Sequence, residues 1–281
     1  MQSRPASRGK RSNLLVYFIL ICSSAFALIP ILWAVSTSLK TEATIVQYPP
    51  QWIPWEITFD NYANVLFHSN FPQYFGNSIL VAAISIAASL FISAHAAYAA
   101  SRFQFRGKKL ILFLILMTSM IPGIAILIPL YLTSVKVGLY DTFAGMILIY
   151  TAWRTPMLIW VLKGFFDSVP KEIEEAAKVD GCSPLRTFYQ LILPVSQPGL
   201  AAGALLSAIY VWNDFLVAFS FTTRDELRLL SVGLYNYITQ YGINWGQLMA
   251  AVVISVVPVV VLFISLQSKF VDGLSAGAVK G

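Results

Sequence analysis

Long apolar stretches alternate with shorter polar ones along the whole chain. Six of them lie at residues 14–35, 78–100, 110–132, 143–162, 199–221 and 249–266. A helix rises about 1.5 Å per residue, so each stretch is long enough to cross the roughly 30 Å hydrocarbon core of a bilayer. The pattern therefore predicts an all-α membrane protein with six transmembrane helices.

The composition and the placement of charge refine this prediction. The chain is 57% hydrophobic and 11% charged, with a net charge of +6, which is too apolar for an ordinary soluble domain. Most of its 19 Lys and Arg residues fall on the side of the amino terminus; Lys40, Lys136, Arg224 and Arg228 fall on the other side, and Arg154 lies inside a predicted helix. Because cytoplasmic segments carry the excess of basic residues, both termini are predicted to be cytoplasmic. Contact with membrane lipid fits this charge pattern, and no nucleic-acid partner is needed to explain it.

The cysteines and the amino terminus suggest no special chemistry. Cys22 lies in the first apolar stretch and Cys182 in a predicted cytoplasmic loop, so neither a disulfide nor a metal site is expected. A basic start and the small residues at 25–27 are similar to a secretory signal peptide. The apolar run continues beyond the usual length of such a peptide, so we expect an uncleaved first helix.

The second and third predicted helices differ in kind. Small residues in AAISIAASLFISAHAAYAAS predict a packing face on the second, and His95 near its inner end is interpreted as a polar packing contact, with a pathway role as the alternative. Pro122, Gly123 and Pro129 predict a kink in the third, because proline removes a backbone hydrogen bond.

A polar stretch at 174–194, EEAAKVDGCSPLRTFYQLILP, interrupts the apolar pattern on the predicted cytoplasmic side. Pro170 and the acidic residues after it indicate a helix start, Gly181 a stop, and Ser183 with Pro184 a second start. Four apolar residues of the second helix share one face: Leu185, Phe188, Tyr189 and Ile192. We expect the chain's own membrane domain to cover half of this stripe, and the compact helix–turn–helix to fit a partner's cleft.

This stretch carries a family resemblance. Glu175, Ala176 and Ala177, then Gly181, then Leu193 and Pro194 follow the spacing E-A-A, three residues, G, nine residues, I-x-L-P. That pattern resembles the cytoplasmic coupling loop of ABC importer permeases. The one departure is Leu191 in place of Ile, which keeps an apolar contact.

The resemblance extends over nearly the whole chain. TFDNY at 58–62, AAYAASRFQFRGK at 96–108, GLYDTFAGMIL at 138–148, VWNDF at 211–215 and the closing GLSAGAVKG are similar to carbohydrate-uptake permeases related to the smaller membrane subunit of the maltose transporter. Asp214 departs from the WNEF that this family often has, which puts the contacts there in doubt. A type I ABC importer permease fold is implied, with a tail at 1–13, a permease domain at 14–270 that includes the coupling loop at 163–197, and a tail at 271–281.

The resemblance also implies partners. A second permease subunit, two ATPase subunits and an extracytoplasmic solute-binding protein are expected, at the plasma membrane of a prokaryote. No catalytic or metal site and no cofactor is expected in this chain, because it has no G-x-x-x-x-G-K-[ST] motif and ATP would bind to the partner ATPases. The residues expected to dock the ATPase are Glu174, Glu175, Ala176, Ala177, Asp180, Gly181, Leu193 and Pro194.

Other functions fit the sequence less well. A non-sugar solute of the same permease family stays open. A secondary transporter commonly carries an internal repeat and ion-coupling groups within the membrane, and this chain has no evident repeat. A membrane enzyme would need a nucleophile, metal or acid–base motif such as HExxH or G-x-S-x-G, and neither occurs.

Two charges fall inside predicted transmembrane helices, Arg154 in the fourth and Asp214 in the fifth. A charge that faces lipid costs at least about 2.5 kcal/mol, so both are expected to face protein or water. Three interpretations stay open: contact with solute, an ion pair between the two, or other partners such as the second permease. The predicted pathway residues are Tyr150, Trp153, Arg154, Tyr210, Asn213 and Asp214.

Two extracytoplasmic segments carry aromatic residues. The segment 222–248 includes Tyr235, Tyr237, Tyr241 and Trp245. It is expected to meet the binding protein or the mouth of the pathway, with anchoring at the membrane interface as the alternative. Trp52 and Trp55 in the segment 36–76 are expected to lie at the membrane interface, with docking of an external partner as the alternative.

Overall fold

The computed structural model describes residues 10–239 and 242–278. Its helices, in chain order, are α1 (Lys10–Ser38), α2 (Glu42–Ile45), α3 (Asp60–Phe67), α4 (Phe71–Arg102), α5 (Lys108–Met120), α6 (Gly123–Lys136), α7 (Phe143–Ser168), α8 (Glu172–Val179), α9 (Pro184–Thr187), α10 (Leu193–Val195), α11 (Gln197–Asn213), α12 (Leu216–Phe221), α13 (Leu230–Gly233) and α14 (Trp245–Ala278). A π-helix, Phe188–Ile192, links α9 to α10. The antiparallel strands β1 (Ile238–Thr239) and β2 (Gly242–Ile243) precede α14.

Within the described residues, four helices are long and apolar enough to cross a membrane alone: Leu15–Ser38, Phe71–Arg102, Phe143–Ser168 and Trp245–Ser268. Two further pairs of helices are long and apolar enough only when each pair is counted as one bent span. In these pairs α5 and α6 meet at 95°, and Pro184–Val195 and α11 meet at 73°. The prediction of six transmembrane helices therefore corresponds to four straight spans, and to up to six if each bent pair counts as one span.

The third predicted helix is broken where its sequence suggested a kink. α5 ends at Met120, and α6 begins at Gly123 after Ile121 and Pro122. Pro129, the other expected kink site, lies inside α6, where Thr133 Oγ1 donates a hydrogen bond to its carbonyl oxygen at 2.8 Å. The break thus follows Pro122, which lacks the N–H group that a continuing helix would use.

The prediction of one helix over 199–221 is wrong, because α11 ends at Asn213 and α12 begins at Leu216. Asp214 Oδ1 accepts a hydrogen bond from the Val217 N–H at 2.9 Å, and Ser231 Oγ donates to the Asp214 carbonyl oxygen at 2.7 Å. These bonds satisfy backbone groups that a helix end leaves free. A polar residue within the predicted apolar stretch therefore marks the end of α11 and supports the start of α12.

The chain divides into two compact units, one comprising residues up to Ser69 with Asn236–Ile254, and the other Asn70–Tyr235 with the residues from Ser255. In the second unit α4 packs against α7 through small residues. Ser85 Oγ donates to the Ile147 carbonyl oxygen at 3.4 Å, and Ser93 Oγ donates to that of Thr155 at 3.2 Å. Small side chains let the two backbones approach, as the sequence predicted.

In the first unit, polar groups organise the segment after α1. Asn61 Nδ2 donates to the carbonyl oxygens of Ser38 at 3.0 Å and of Lys40 at 2.8 Å. The Lys40 ammonium lies 4.6 Å from the centroid of the Trp33 ring and donates to the Gln51 carbonyl oxygen. Burial lowers the pKa of Lys40 from its ordinary value, because the apolar surroundings penalise the charged form.

Candidate functional site

The predicted coupling loop (residues 163–197) contains the expected helix, turn and second helical segment. It differs from the prediction because residues 163–168 belong to α7, and because the second segment includes the π-helix Phe188–Ile192 and continues through Pro194 to Val195. α8 begins at Glu172 with three acidic residues in its first turn and Lys178 in its last, which suits the helix dipole. Gly181 has φ +80°, a left-handed conformation that glycine adopts without strain. The Ser183 side chain accepts from the Arg186 N–H and caps α9, whose first residue is Pro184. A helix, a turn and a second helical segment result.

The predicted docking residues divide into an exposed set and an inward-facing set. Glu175, Ala176, Asp180, Gly181 and Pro194 are exposed, whereas Glu174 and Leu193 are half-buried and Ala177 is buried.

Two apolar side chains extend the exposed set, Val179 at 88% exposed and Leu185 at 66%. Sequence reasoning did not single out Val179, although its place between the E-A-A residues and Gly181 was visible. Exposed apolar side chains grouped with charged ones are typical of a protein-binding surface.

Glu174 forms an ion pair inside the chain. Its carboxylate accepts from Arg102 Nε and, at 3.0 Å, from the Tyr98 hydroxyl. Arg102 also donates from Nη2 to the Val169 carbonyl oxygen at 2.9 Å and from Nη1 to Ser101 Oγ at 3.0 Å. Arg102 ends α4, so this network joins α8 to a transmembrane helix. The quoted AAYAASRF segment contained Tyr98 and Arg102, but nothing local identified Glu174 as their partner.

The apolar stripe of the coupling loop is half covered, as expected. Phe188 and Ile192 are 2% and 0% exposed, whereas Leu185 and Tyr189 are 66% and 46% exposed. The Phe188 ring lies 4.7 Å from that of Tyr98, centroid to centroid. His95 Nε2 and the Tyr189 hydroxyl are hydrogen-bonded at 2.7 Å, which agrees with the interpretation of His95 as a packing contact.

Near the middle of α7, Arg154 lines a cleft of about 450 Å³ within the second unit. The Arg154 guanidinium carbon lies 4.4 Å from the centroid of the Tyr210 ring, a cation–π contact. Trp153 lines the same cleft and packs so closely on Gly123 that a Cβ there would lie 3.1 Å from Trp153 Cζ2. The structure therefore brings together Trp153, Arg154 and Tyr210.

The other predicted pathway residues lie elsewhere. Tyr150 is fully buried, and its hydroxyl donates to Asp214 Oδ1 at 2.9 Å. The ion pair between Arg154 and Asp214, one of three interpretations of the sequence, is not formed: Asp214 Oδ1 binds Tyr150 and the Val217 N–H. Asn213 is exposed, and its Nδ2 donates to the Ile209 carbonyl oxygen at 2.7 Å. Tyr150 and Asp214 thus support the end of α11.

Only some of the aromatic side chains described in the segment 222–248 are exposed. Tyr235 is 56% exposed and Trp245 is 43% exposed, whereas Tyr237 is 9% exposed and hydrogen-bonded to Ser69. Tyr241 lies outside the described residues.

At the start of this segment, Arg224 Nε donates to Asp141 Oδ2 at 3.0 Å. Although partial burial alone would raise the pKa of Asp141, hydrogen bonds from the Thr223 and Arg224 N–H groups and from the Arg224 guanidinium lower it below its ordinary value.

Comparison with known proteins agrees with this architecture. Residues 94–275 match the model of the binding-protein-dependent transport system inner membrane component family. The chain is 36% identical to the trehalose/maltose transport system permease protein MalG of Thermococcus litoralis, over 97% of this chain and 98% of the relative. It is 34% identical to the sulfoquinovosyl glycerol transport system permease protein SmoH of Agrobacterium fabrum, over 97% and 95%.

Among solved structures, a chain of a bacterial ABC transporter involved in the import of the acidic polysaccharide alginate superposes with a TM-score of 0.81 at 26% identity, covering 95% of this chain and 100% of that one. The predicted family, fold class and multi-pass location in the bacterial plasma membrane are confirmed. The cytoplasmic orientation of the termini stays a prediction. The chain belongs to the family of binding-protein-dependent transport system inner membrane components, and it is a permease subunit of an ABC importer rather than an enzyme.

Proposed function

We propose that this permease carries a sugar or oligosaccharide from an extracytoplasmic binding protein to the cytoplasm. Its relatives include permeases named for trehalose/maltose and for sulfoquinovosyl glycerol, and a structural neighbour belongs to an alginate importer. The cleft around Arg154 supports the proposal, because Trp153, Trp160 and Tyr210 offer aromatic faces there and Thr118 and Ser119 offer hydroxyl groups. Apolar sugar faces stack on aromatic rings, while sugar hydroxyls need polar partners.

The coupling loop is proposed to dock a cytoplasmic ATPase subunit. The observation that carries this role is the two-sided character of α8, which has Glu174 bound inward to Arg102 while Glu175, Ala176 and Asp180 face outward. An outward surface is free for a partner, and an inward anchor transmits the partner's movement to α4. The chain itself is proposed to need no cofactor, since ATP binds to the ATPase subunits.

Transport then follows by alternating access. Closure of the ATPase pair on ATP moves the coupling loop, and the Arg102–Glu174 pair and the packing of Phe188 on Tyr98 carry this movement to the membrane helices. Packed elements move as rigid bodies because their interiors do not deform continuously. A broken helix such as α5–α6 or α11–α12 supplies a place where the bend can change.

Two variants of the assembled importer test the coupling role. Glu175→Lys reverses an exposed charge. Gly181→Pro places a proline, whose φ is fixed at about −65°, at a position where the turn requires a φ of +80°. We expect at least a tenfold loss of ATP-driven uptake with normal insertion in the membrane. Glu172→Lys, an exposed charge reversal on the same helix, is the matched control and retains uptake.

The measurements are solute uptake into vesicles and co-purification of the ATPase with this chain. Loss of uptake together with weakened co-purification supports docking. Unchanged uptake and unchanged co-purification in both variants would show that the loop is not the docking surface.

A further inference from the structure

Arg154 is a buried cation that the described part of the chain does not neutralise. The residue is 7% exposed and lies near the middle of α7, which runs from Phe143 to Ser168. Among the residues that the structure describes, no carboxylate lies within ion-pair distance of its guanidinium. Asp214, the acidic residue that the sequence offered as a partner, instead accepts from Tyr150 and the Val217 N–H.

The hydrogen-bonding capacity of this guanidinium is also largely unused. An arginine presents five N–H donors. Nη2 donates to Met157 Sδ at 3.3 Å, and a thioether is a weak acceptor. Nε is buried and has no acceptor. The Tyr210 ring 4.4 Å away offers its π-face, which attracts a cation but does not satisfy the remaining donors.

A charge in this position requires compensation by water or by a group that the described residues do not supply. Removing an ion from water is costly, and the cost is offset when an opposite charge with good hydrogen-bond geometry is present. Within a bilayer the same requirement makes intramembrane cations indicators of a transported solute, an ion path or a partner subunit. The surroundings of Arg154 separate these possibilities.

The cleft that Arg154 lines has the chemistry of a solute site. Its volume is about 450 Å³, within the range of small-molecule sites. It combines three aromatic side chains, two hydroxyl groups and the cation; these are Trp153, Trp160, Tyr210, Thr118, Ser119 and Arg154. Aromatic faces beside hydroxyls suit a saccharide ring, and a guanidinium beside them suits a carboxylate or sulfonate, which it binds in bidentate geometry.

We propose that Arg154 binds the anionic group of an acidic saccharide as the solute crosses the membrane. This inference rests on the proposed saccharide transport and names the substrate class. The carboxylate or sulfonate accepts from the Arg154 guanidinium where it lines the cleft, while Trp153 and Tyr210 contact the sugar ring. The cation thus selects solutes by charge at a second point, after the binding protein.

The test uses the intact importer with its binding protein in proteoliposomes. The probes are a panel of matched disaccharides, each neutral sugar paired with the uronate in which one of its primary alcohols is oxidised to a carboxylate. Uptake is measured for the unmodified importer and for Arg154→Met and Arg154→Lys. Lys136→Met, which removes an exposed cation at the end of α6, is the matched control.

We expect Arg154→Met to lower uronate uptake by about tenfold to a hundredfold, the usual range for loss of a charge-assisted hydrogen bond. Uptake of a paired neutral sugar changes less than about twofold, Arg154→Lys keeps part of the uronate uptake, and Lys136→Met keeps all of it. Four outcomes would overturn this inference while leaving saccharide transport intact. For Arg154→Met, they are equal loss of uptake for both members of a pair, no loss for either member, and failure to assemble with the second permease. For the unmodified importer, the outcome is import of neutral sugars alone. If the unmodified importer takes up no saccharide, the proposed function itself is wrong.

Discussion

Two arginines of this permease have largely buried side chains, yet they differ in whether the same chain supplies a partner of opposite charge. The Arg102 side chain is 7% exposed, and it binds Glu174, the Val169 carbonyl oxygen and Ser101. Arg154 is buried as a whole residue, and within the described residues its one side-chain hydrogen bond goes to the Met157 thioether. Burial alone therefore does not indicate whether a charged side chain holds two elements of the fold together or is left without an ion-pair partner.

The difference lies in whether the chain supplies the opposite charge. A buried pair whose partners come from the same chain holds two elements in a fixed arrangement, here α8 and the end of α4. A buried charge that has no partner in its own chain has to be compensated by another molecule. Arg224 adds a third case, because it is paired with Asp141 but is 59% exposed, so water competes for both groups.

Arg102→Met should have the largest effect on stability. It removes the Arg102 donor from the Glu174 carboxylate and from the Val169 carbonyl oxygen. Breaking a fully buried pair from one side costs about 3–5 kcal/mol, and the cost here should fall below that range because Glu174 is half-buried and keeps the Tyr98 hydroxyl as a donor. The thermal unfolding midpoint of the purified importer should fall, and ATP hydrolysis should continue with less solute moved per ATP.

Replacing both members of this pair sharpens the comparison. Arg102→Met with Glu174→Met should recover most of the stability, since apolar replacement of a whole buried pair is often neutral. It should not recover coupling if the pair transmits movement. A single variant no less stable than the double one would contradict the role of the pair.

Asp141→Asn should have a small effect, about 0.5 kcal/mol at neutral pH, because the pair is partly exposed. Asparagine keeps an oxygen for the Thr223 and Arg224 N–H groups and tolerates the φ of 55° found here.

The effect should depend on pH in one direction. Since the folded pKa of Asp141 is lowered, the ionised carboxylate stabilises the fold above its unfolded pKa of about 3.9, and this contribution is lost as pH falls through the folded pKa. The midpoint difference from the unmodified importer should be constant from about pH 5 to 8 and shrink below about pH 4. A difference that grows on acidification would contradict the assigned pair.

Arg154→Met should have the smallest effect on stability, within about 0.5 kcal/mol or slightly stabilising, because no ion pair is broken and an apolar side chain fits a membrane helix. The same thermal measurement checks it beside Arg102→Met, which removes a cation whose side chain is also largely buried. A loss comparable to that of Arg102→Met would mean that Arg154 has a partner in the assembled importer, such as a carboxylate of the second permease.

Much of this molecule follows from local sequence. Apolar runs specify the spans because a buried helix must be apolar along its whole length in lipid. Pro122 and Gly181 specify a break and a turn, and Ser183 with Pro184 specifies a helix start, because each acts on its own backbone. The helix–turn–helix pattern of the coupling loop could be predicted from its sequence for the same reason.

Tertiary structure decided which partner each polar side chain takes. Glu174 and Glu175 are adjacent acids in one helix, and only the position of Arg102, 72 residues away along the chain, turns one inward and leaves the other exposed. Asp214 and Arg154 carry opposite charges in neighbouring predicted transmembrane helices, yet Asp214 binds a backbone N–H and Tyr150. Hydrogen bonds need distances near 3 Å, and a pattern along the chain fixes such distances only within one turn of a helix. Across helices they depend on how the helices pack, which is why the pair at Arg102 and the unpaired charge at Arg154 emerged only from the fold.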